Sequence, residues 1–183
     1  SALFHVSTVI TSTGFQSEFC DYVAWGPMFW MPTMLLMVVG ACAGSTGGGI
    51  KMIRISVVVK DVLNEFRLQI HPRAVIPVRL NGNVLEEQKV TRALAFVIIY
   101  VFIMCIGVIL FTLLGMDLST ALGSSVSMLS NTGPGMGTTG PMANYADCAP
   151  LAKWIMCLMM LIGRLEIFTV LYLLMPNFWR DRV

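Results

Sequence analysis

Two threonine–glycine turns are the residues of this sequence best suited to chemistry. Ala2-Leu3 precedes Thr13-Gly14 at the same spacing at which Ala121-Leu122 precedes Thr132-Gly133. The turns carry small polar side chains and no charge, which favours binding of a dehydrated cation by backbone carbonyls that replace its water. Glycine adopts positive φ easily, so a short strand there can turn its carbonyls toward one axis. The candidate filter residues are Thr11, Ser12, Thr13, Gly14, Ser130, Asn131, Thr132 and Gly133.

A short apolar helix must position each turn. The helical pattern at 118–129 covers only about 18 Å, too little to cross a bilayer, so it predicts a re-entrant segment. The negative end of its dipole would face a cation at the turn. The alternative is an ordinary helix C-cap, with the glycine at C′. The duplication behind two half-length helices favours the filter.

The composition is typical of an integral membrane protein. Hydrophobic residues make up 56% of the chain and charged residues 12%, against about 25% charged in an average soluble domain. The net charge of +2 is too small to indicate nucleic acid as a partner. Cysteines and histidines lack the spacing of a metal site, so we expect no cofactor, and the only metal ion is a transported one.

Three apolar stretches, 25–43, 93–114 and 150–175, approach or exceed the roughly 20 residues that span a bilayer. The connection 51–92 contains eight Lys/Arg, whereas the loops 15–26 and 115–149 contain acidic residues and no Lys or Arg. The positive-inside rule places 51–92 in the cytoplasm and both turns toward the outer face. Within the connection, an apolar stripe predicts a helix that ends near His71, and residues 78–86 predict a hairpin. The helix could lie on the bilayer surface or dock a partner.

A glycine-rich segment follows the first long apolar stretch. Four of the six positions 44–49 are glycine, each costing a helix about 1 kcal/mol relative to alanine. Non-helical backbone at membrane depth survives only in a protein interior or along a cavity, so we expect a mobile loop that obstructs the pore. The alternatives are a Gly40/Gly44 helix-packing motif and, poorly matched, a phosphate-binding loop. The predicted gate loop consists of Gly44, Ser45, Thr46, Gly47, Gly48 and Gly49.

One basic residue lies within the last apolar stretch. Arg164 sits near its middle, where a charge costs about 2.5–3.5 kcal/mol on insertion scales. Glu166 points to a different side of the same helix, so each charge needs a separate partner. Arg164 could tune cation passage from the inner cavity or form a structural ion pair with another helix; both interpretations stay open.

These motifs together resemble the membrane subunits of Trk-type bacterial potassium transporters, in the Trk/Ktr/HKT superfamily. The matching residues are the two Thr-Gly turns and the segments 43–51, 71–78 and 163–168. The resemblance implies four helix–pore–helix units around one pore, of which this chain supplies the third without its first helix and the whole fourth. It also implies a homodimer in the cell (inner) membrane, regulated by a cytoplasmic nucleotide-binding subunit.

We therefore expect an all-α, multi-pass integral membrane protein with tandem helix–pore loop–helix units of a potassium-channel-like pore. Its parts would be a first unit at 1–59, a cytoplasmic connection at 60–89 and a complete unit at 90–183. The expected function is K⁺ uptake through a carbonyl-lined filter, without enzymatic activity. A membrane-embedded enzyme or a non-conducting helical subunit is the alternative. We expect two further units upstream of Ser1 in the intact protein.

Overall fold

The computed structural model describes residues 2–16, 26–40, 42, 44–45, 47–71, 76–80, 82–176 and 179. Its helices are α1 (Ala2–Ile10), α2 (Pro27–Val38), α3 (Met52–Ile70), α4 (Glu87–Leu113), α5 (Leu118–Ser130), α6 (Pro150–Arg164) and α7 (Ile167–Leu174). Short strands are β1 (Val39–Gly40), β2 (Ile50–Lys51), β3 (Arg79–Leu80) and β4 (Asn83–Val84), and Gly137–Thr139 forms one 3₁₀ turn. The protein is thus mainly helical.

The helix boundaries follow from local sequence. Pro27 and Pro150 begin α2 and α6 at the first helical turn, where proline's missing N–H is not needed and its fixed φ suits the helix. Helix α3 ends at His71, and the proline that follows in the sequence disfavours helical backbone at the preceding residue. The hairpin is present as expected, because β3 pairs antiparallel with β4.

Helix α5 is the centre of the fold. Nearly every residue from Thr120 to Ser130 is buried, between α4 on one side and α6 on the other. Its serines are accommodated by hydrogen bonds, since Ser125 donates to the carbonyl of Met104 at 2.8 Å. Small residues permit this close approach: a β-carbon added at Gly107 of α4 would lie 2.6 Å from the Ser125 hydroxyl.

The first apolar stretch is shorter as a helix than the sequence suggested. Helix α2 ends at Val38, and Val39–Gly40 is extended and pairs in parallel with Ile50–Lys51. The chain therefore leaves the helix axis, forms the glycine-rich loop and rejoins beside its point of departure before α3 begins. Gly40 lies in a strand, so the helix-packing interpretation of Gly40/Gly44 is wrong.

The last apolar stretch is not one continuous helix. Helices α6 and α7 are separated at Leu165–Glu166 and meet at an angle of 108°. Glu166 adopts φ 60°, which costs a non-glycine residue roughly 1–2 kcal/mol. Its carboxylate contacts Lys51 and Arg54, so the break between the two helices lies against the start of α3.

Within the described residues, α4 alone is long and apolar enough to cross a membrane as a single helix. The bent pair α6–α7 meets the same criterion when its two helices are taken together. Length and composition thus provide one or two membrane-crossing segments in this part of the chain.

Candidate functional site

The two Thr-Gly turns have the same backbone conformation. Ser12 and Asn131, at equivalent repeat positions, are both left-handed, with φ 52° and 57°. The amide of Thr13 donates to Thr8 O at 2.9 Å, and that of Thr132 donates to Ser127 O at 3.1 Å. This is the Schellman arrangement that closes a helix C-terminus.

The helix cap and the glycine are therefore separate features. The left-handed C′ residues are Ser12 and Asn131, whereas Gly14 and Gly133 lie two positions later and have their own positive φ, 76° and 105°. The interpretation of these glycines as ordinary C′ caps is wrong. The backbone of each turn changes direction twice within three residues. The second change requires glycine, because a residue with a β-carbon would be strained at that positive φ.

The side chains of the turns repeat the same hydrogen bonds. Thr11 donates its hydroxyl to Ser7 O, and Ser130 donates to Val126 O, both at 2.7 Å. The hydroxyls of Thr11 and Thr13 lie 2.7 Å apart, and those of Ser130 and Thr132 lie 2.9 Å apart. These bonds occupy the hydroxyls of Thr11 and Thr13 in the first turn and of Ser130 and Thr132 in the second, and they hold the backbone in place.

The two turns also meet. A β-carbon added at Gly14 would overlap the carbonyl oxygen of Thr132 and lie 3.2 Å from its carbonyl carbon. The backbone of the first turn is therefore in contact with that of the second. Helices α1 and α5 both end here, so the negative ends of two helix dipoles converge on an uncharged, carbonyl-rich region.

Two side-chain hydrogen bonds support the second turn. Tyr145 donates its hydroxyl to the carbonyl of Gly133 at 2.8 Å, and burial raises the pKa of Tyr145 to about 12, so the phenol remains a donor at physiological pH. Asn131 donates its side-chain amide to Met160 O on α6 at 3.0 Å. Beyond the turns the repeat continues with a spacing of 123 residues in place of 119, which pairs Tyr145 with Tyr22. Tyr22 lies outside the described residues, and this pairing was the available signal for a supporting role.

The glycine-rich loop lies against the turns. A β-carbon added at Gly48 would overlap Ser130 O and lie 2.6 Å from its carbonyl carbon, and one added at Gly40 would lie 2.9 Å from Gly48 O and 3.4 Å from the Ser12 hydroxyl. Gly47 donates its amide to the Ser45 hydroxyl at 3.0 Å. Thr46, also named as a gate residue, lies outside the described residues.

Arg164 and the loop share a cavity. Arg164, at the end of α6, lines a space of 320 Å³ together with Ser45, Gly47 and Gly49. Across the described part of the chain Arg164 has no ion-pair partner, so the structural ion pair considered for it is not found there. Arg164 is an exposed residue and lines this cavity.

Glu166 has two cationic partners that sequence reasoning did not find. Its carboxylate lies 2.8 Å from Lys51 Nζ and 3.0 Å from an Arg54 guanidinium nitrogen. Arg54 also stacks over the Phe96 ring at 3.9 Å. These contacts join the end of the glycine loop, where Lys51 lies, to the break between α6 and α7. Glu166 lies far from Lys51 and Arg54 in the sequence, so the sequence alone does not reveal that they pair.

Neither histidine belongs to a metal site in the described structure. His5 is buried on α1 and meets the ring of Phe4 edge-on, whereas His71 is exposed at the end of α3. The described residues contain no group of three or more His, Cys, Asp or Glu side chains that could hold a metal ion.

Fold and site together define a mainly helical protein, with one or two apolar segments of membrane-crossing length in its described part, in which two equivalent turns, each at the end of a short helix, meet beside a glycine-rich loop. Residues 1–180 match the family described as TrkH, cation transport protein, and the chain belongs to this family. The resemblance inferred from sequence motifs is confirmed. The family consists of transporters, which confirms that the chain is not an enzyme.

Individual proteins of this family are similar to nearly the whole of this chain. The chain is 41% identical over 180 residues to the Trk system potassium uptake protein TrkI of Halomonas elongata, covering 97% of this chain and 36% of that protein. It is 38% identical over 182 residues to the Trk system potassium uptake protein TrkH of Salmonella typhimurium, covering 98% of this chain and 36% of that protein. The chain thus spans about a third of the length of these relatives.

A solved structure gives the same result for the fold. The crystal structure of the potassium transporter TrkH from Vibrio parahaemolyticus aligns with a TM-score of 0.87 and 34% sequence identity. The alignment covers 97% of this chain and 37% of that one.

Proposed function

We propose that this chain forms part of a K⁺ uptake pore, in which the backbone carbonyls of 11–14 and 130–133 coordinate the dehydrated ion. Carbonyl dipoles suit a monovalent cation because they replace its hydration shell without a full negative charge that would bind it too tightly to leave. Relatives of the chain are named potassium uptake proteins, which supports K⁺ as the transported ion.

One observation carries this proposal: the two turns share φ angles and hydrogen bonds and are in backbone contact. Equivalent turns related by an internal repeat are what a pathway between symmetry-related halves requires. The same turns would need no such contact if they only terminated helices.

The loop 44–49 is proposed as the gate. Gly48 lies against Ser130 of the second turn, and Gly40 lies near both Gly48 and the first turn, so the loop occupies the space beside both candidate filter segments. Arg164, unpaired within the described residues and exposed to the same cavity, adds a positive charge that opposes cation passage.

The wider assembly follows the family resemblance. We propose four helix–pore–helix units, a multi-pass protein in the cell (inner) membrane surrounded by lipid, a homodimer and a cytoplasmic nucleotide-binding regulatory subunit. The divisions 1–59, 60–89 and 90–183 stay predictions; α3 runs through the first boundary. The chain's share of its relatives' length, 36%, leaves room for the other units.

Rubidium uptake into proteoliposomes that contain the complete protein tests the conduction proposal. We expect K⁺ to compete with Rb⁺ for uptake. Uptake that is absent in an otherwise intact protein, or that K⁺ does not reduce, would contradict it.

Two variants test the gate and the charge. Deletion of 44–49 should raise uptake, and unchanged uptake would count against a gate. Arg164→Ala should also raise it, because a charge opposing the ion is removed. Arg67→Ala removes a like charge from the exposed part of α3 and is the control. If the two arginine substitutions changed rubidium uptake equally, the proposal that Arg164 opposes cation passage would be contradicted.

A further inference from the structure

A second cavity lies on the other side of Arg54, outside the candidate ion pathway. It has a volume of 520 Å³ and lies between α3, the β3–β4 hairpin, α4 and α7. Its walls are apolar at Ile53, Val57 and Phe168, and basic at Arg54, Lys89 and Arg92. An apolar cavity lined by several cations suits an occupant that has both an apolar part and an anionic group.

The position of this cavity relative to the membrane follows from the length and charge pattern of α4. Its 27 residues extend about 40 Å, whereas the hydrocarbon core is about 30 Å thick. The uncharged part, 93–113, rises about 31 Å and matches that core. Lys89 and Arg92 therefore lie just outside it, at the depth of lipid headgroups. Tyr172, which also lines the cavity and is 62% exposed, is a residue type enriched at this interface.

The charge at the cavity mouth is not neutralised. Arg92 forms no ion pair with any residue in the described ranges. Lys89 pairs with Glu86 at 3.4 Å, but these side chains are 61% and 72% exposed, and pairs of this kind contribute little. Glu87 lines a neighbouring space beside Arg92 without pairing with it. Arg54 is different, since it pairs with Glu166, although it shares that single carboxylate with Lys51.

Lys89 and Arg92 also share one face of α4, because residues three apart on a helix are neighbours. Two cations on one face, at headgroup depth and above apolar walls, match a phosphodiester with acyl chains attached. Charge complementarity thus selects an anionic lipid over a zwitterionic one.

We propose that this cavity binds an anionic phospholipid of the cytoplasmic leaflet. Its phosphodiester contacts Lys89 and Arg92, and its acyl chains lie along Ile53, Val57 and Phe168. The site is separate from the ion pathway, and it shares only Arg54 with the cavity beside the glycine loop.

Native mass spectrometry of the complete, detergent-solubilised protein tests this site without measuring transport. Phosphatidylglycerol and phosphatidylcholine with identical acyl chains are titrated separately. The intact protein should prefer phosphatidylglycerol. The double variant Lys89→Gln/Arg92→Gln should bind phosphatidylglycerol about 30-fold more weakly, the effect expected for two interfacial basic residues, with phosphatidylcholine binding unchanged.

Two matched variants separate the site from general charge effects. Lys60→Gln/Arg67→Gln makes the same chemical change on α3, away from this cavity, and should retain the preference. Lys89→Arg/Arg92→Lys keeps both charges and should bind within about threefold of the intact protein. Because all four positions are exposed, we expect every variant to fold, which its elution from size-exclusion chromatography checks.

Three results would overturn the proposal. The first is an intact protein that does not distinguish the two lipids, which would mean that another segment of the protein fills the cavity. The second is an equal loss of phosphatidylglycerol in the α3 control. The third is displacement of phosphatidylglycerol by excess inorganic phosphate, which would indicate a simple anion site.

Discussion

Replacing Gly48 with alanine is the sharpest test of the gate, because the structure gives both the direction and the size of the effect. The new β-carbon would lie 2.6 Å from the carbonyl carbon of Ser130 and 3.1 Å from the β-carbon of Asn131. Carbon atoms at optimal separation are about 3.5–4.0 Å apart. The loop and the second turn must therefore separate by about 1 Å.

The loop should move and the turn should stay. Ser130 is fully buried and fixed by a hydroxyl bond to Val126 O and by the capped end of α5. On the loop side Gly48 and Gly49 are buried too, but the preceding loop residues are less so, since Ser45 and Gly47 are half-buried and Gly44 is exposed. Overpacking of this kind costs about 1–3 kcal/mol. If only the closed state is destabilised by this amount, the ratio of closed to open protein shifts about 5- to 150-fold toward the open state.

Rubidium uptake by the complete protein in proteoliposomes measures this shift, with competing Na⁺ as a check on the filter. We expect Gly48→Ala to raise uptake with K⁺ over Na⁺ selectivity unchanged. Gly44→Ala is the matched control, because no described atom lies within 4 Å of its added β-carbon, and its uptake should stay within about twofold. Unchanged uptake in Gly48→Ala, or lower uptake with altered selectivity, would refute the reasoning.

Three further substitutions test the turns, each by thermal unfolding and rubidium uptake of the complete protein. Gly14→Ala should lose about 1–3 kcal/mol more stability than Gly26→Ala, since both have positive φ but only Gly14 contacts the facing turn; equal losses would disprove that contact. Tyr145→Phe should cost about 1 kcal/mol by freeing the Gly133 carbonyl. Because the pKa of Tyr145 is about 12, this loss should be the same at about pH 6 and about pH 9, and a pH-dependent loss would contradict a neutral donor. Asn131→Ala should destabilise more than Asn131→Gly, because only alanine is strained at φ 57°; the reverse order would exclude a left-handed residue there.

Much of the fold could be predicted from local sequence. The end of α3 at His71, the hairpin and the uncharged length of α4 depend on proline, turn residues and hydrophobic pattern, which act over a few residues. The duplicated turns are visible because a repeat constrains both copies, and the repeat predicted positive φ at Gly14 and Gly133, which both residues adopt.

Other features depend on residues far apart in the chain. The stretch 150–175 has a continuous helical pattern, which reveals neither the break at Leu165–Glu166 nor the ion pairs that Glu166 makes there with Lys51 and Arg54. Likewise, local pattern placed the end of the first long helix near the glycines, but α2 ends earlier because β1 pairs with β2. Pairing of this kind is not encoded in the periodicity of either segment.

The sequence by itself determined the membrane class, the repeat and the identity of the turn residues, because composition, spacing and glycine content are properties of the chain alone. Only the tertiary structure decided that the helices are capped by Ser12 and Asn131, with the glycines left for a second reversal. It also decided that Gly14 meets the opposite turn and that Gly48 lies against Ser130. Such contacts arise when distant segments pack, and a one-dimensional pattern carries no distance between them.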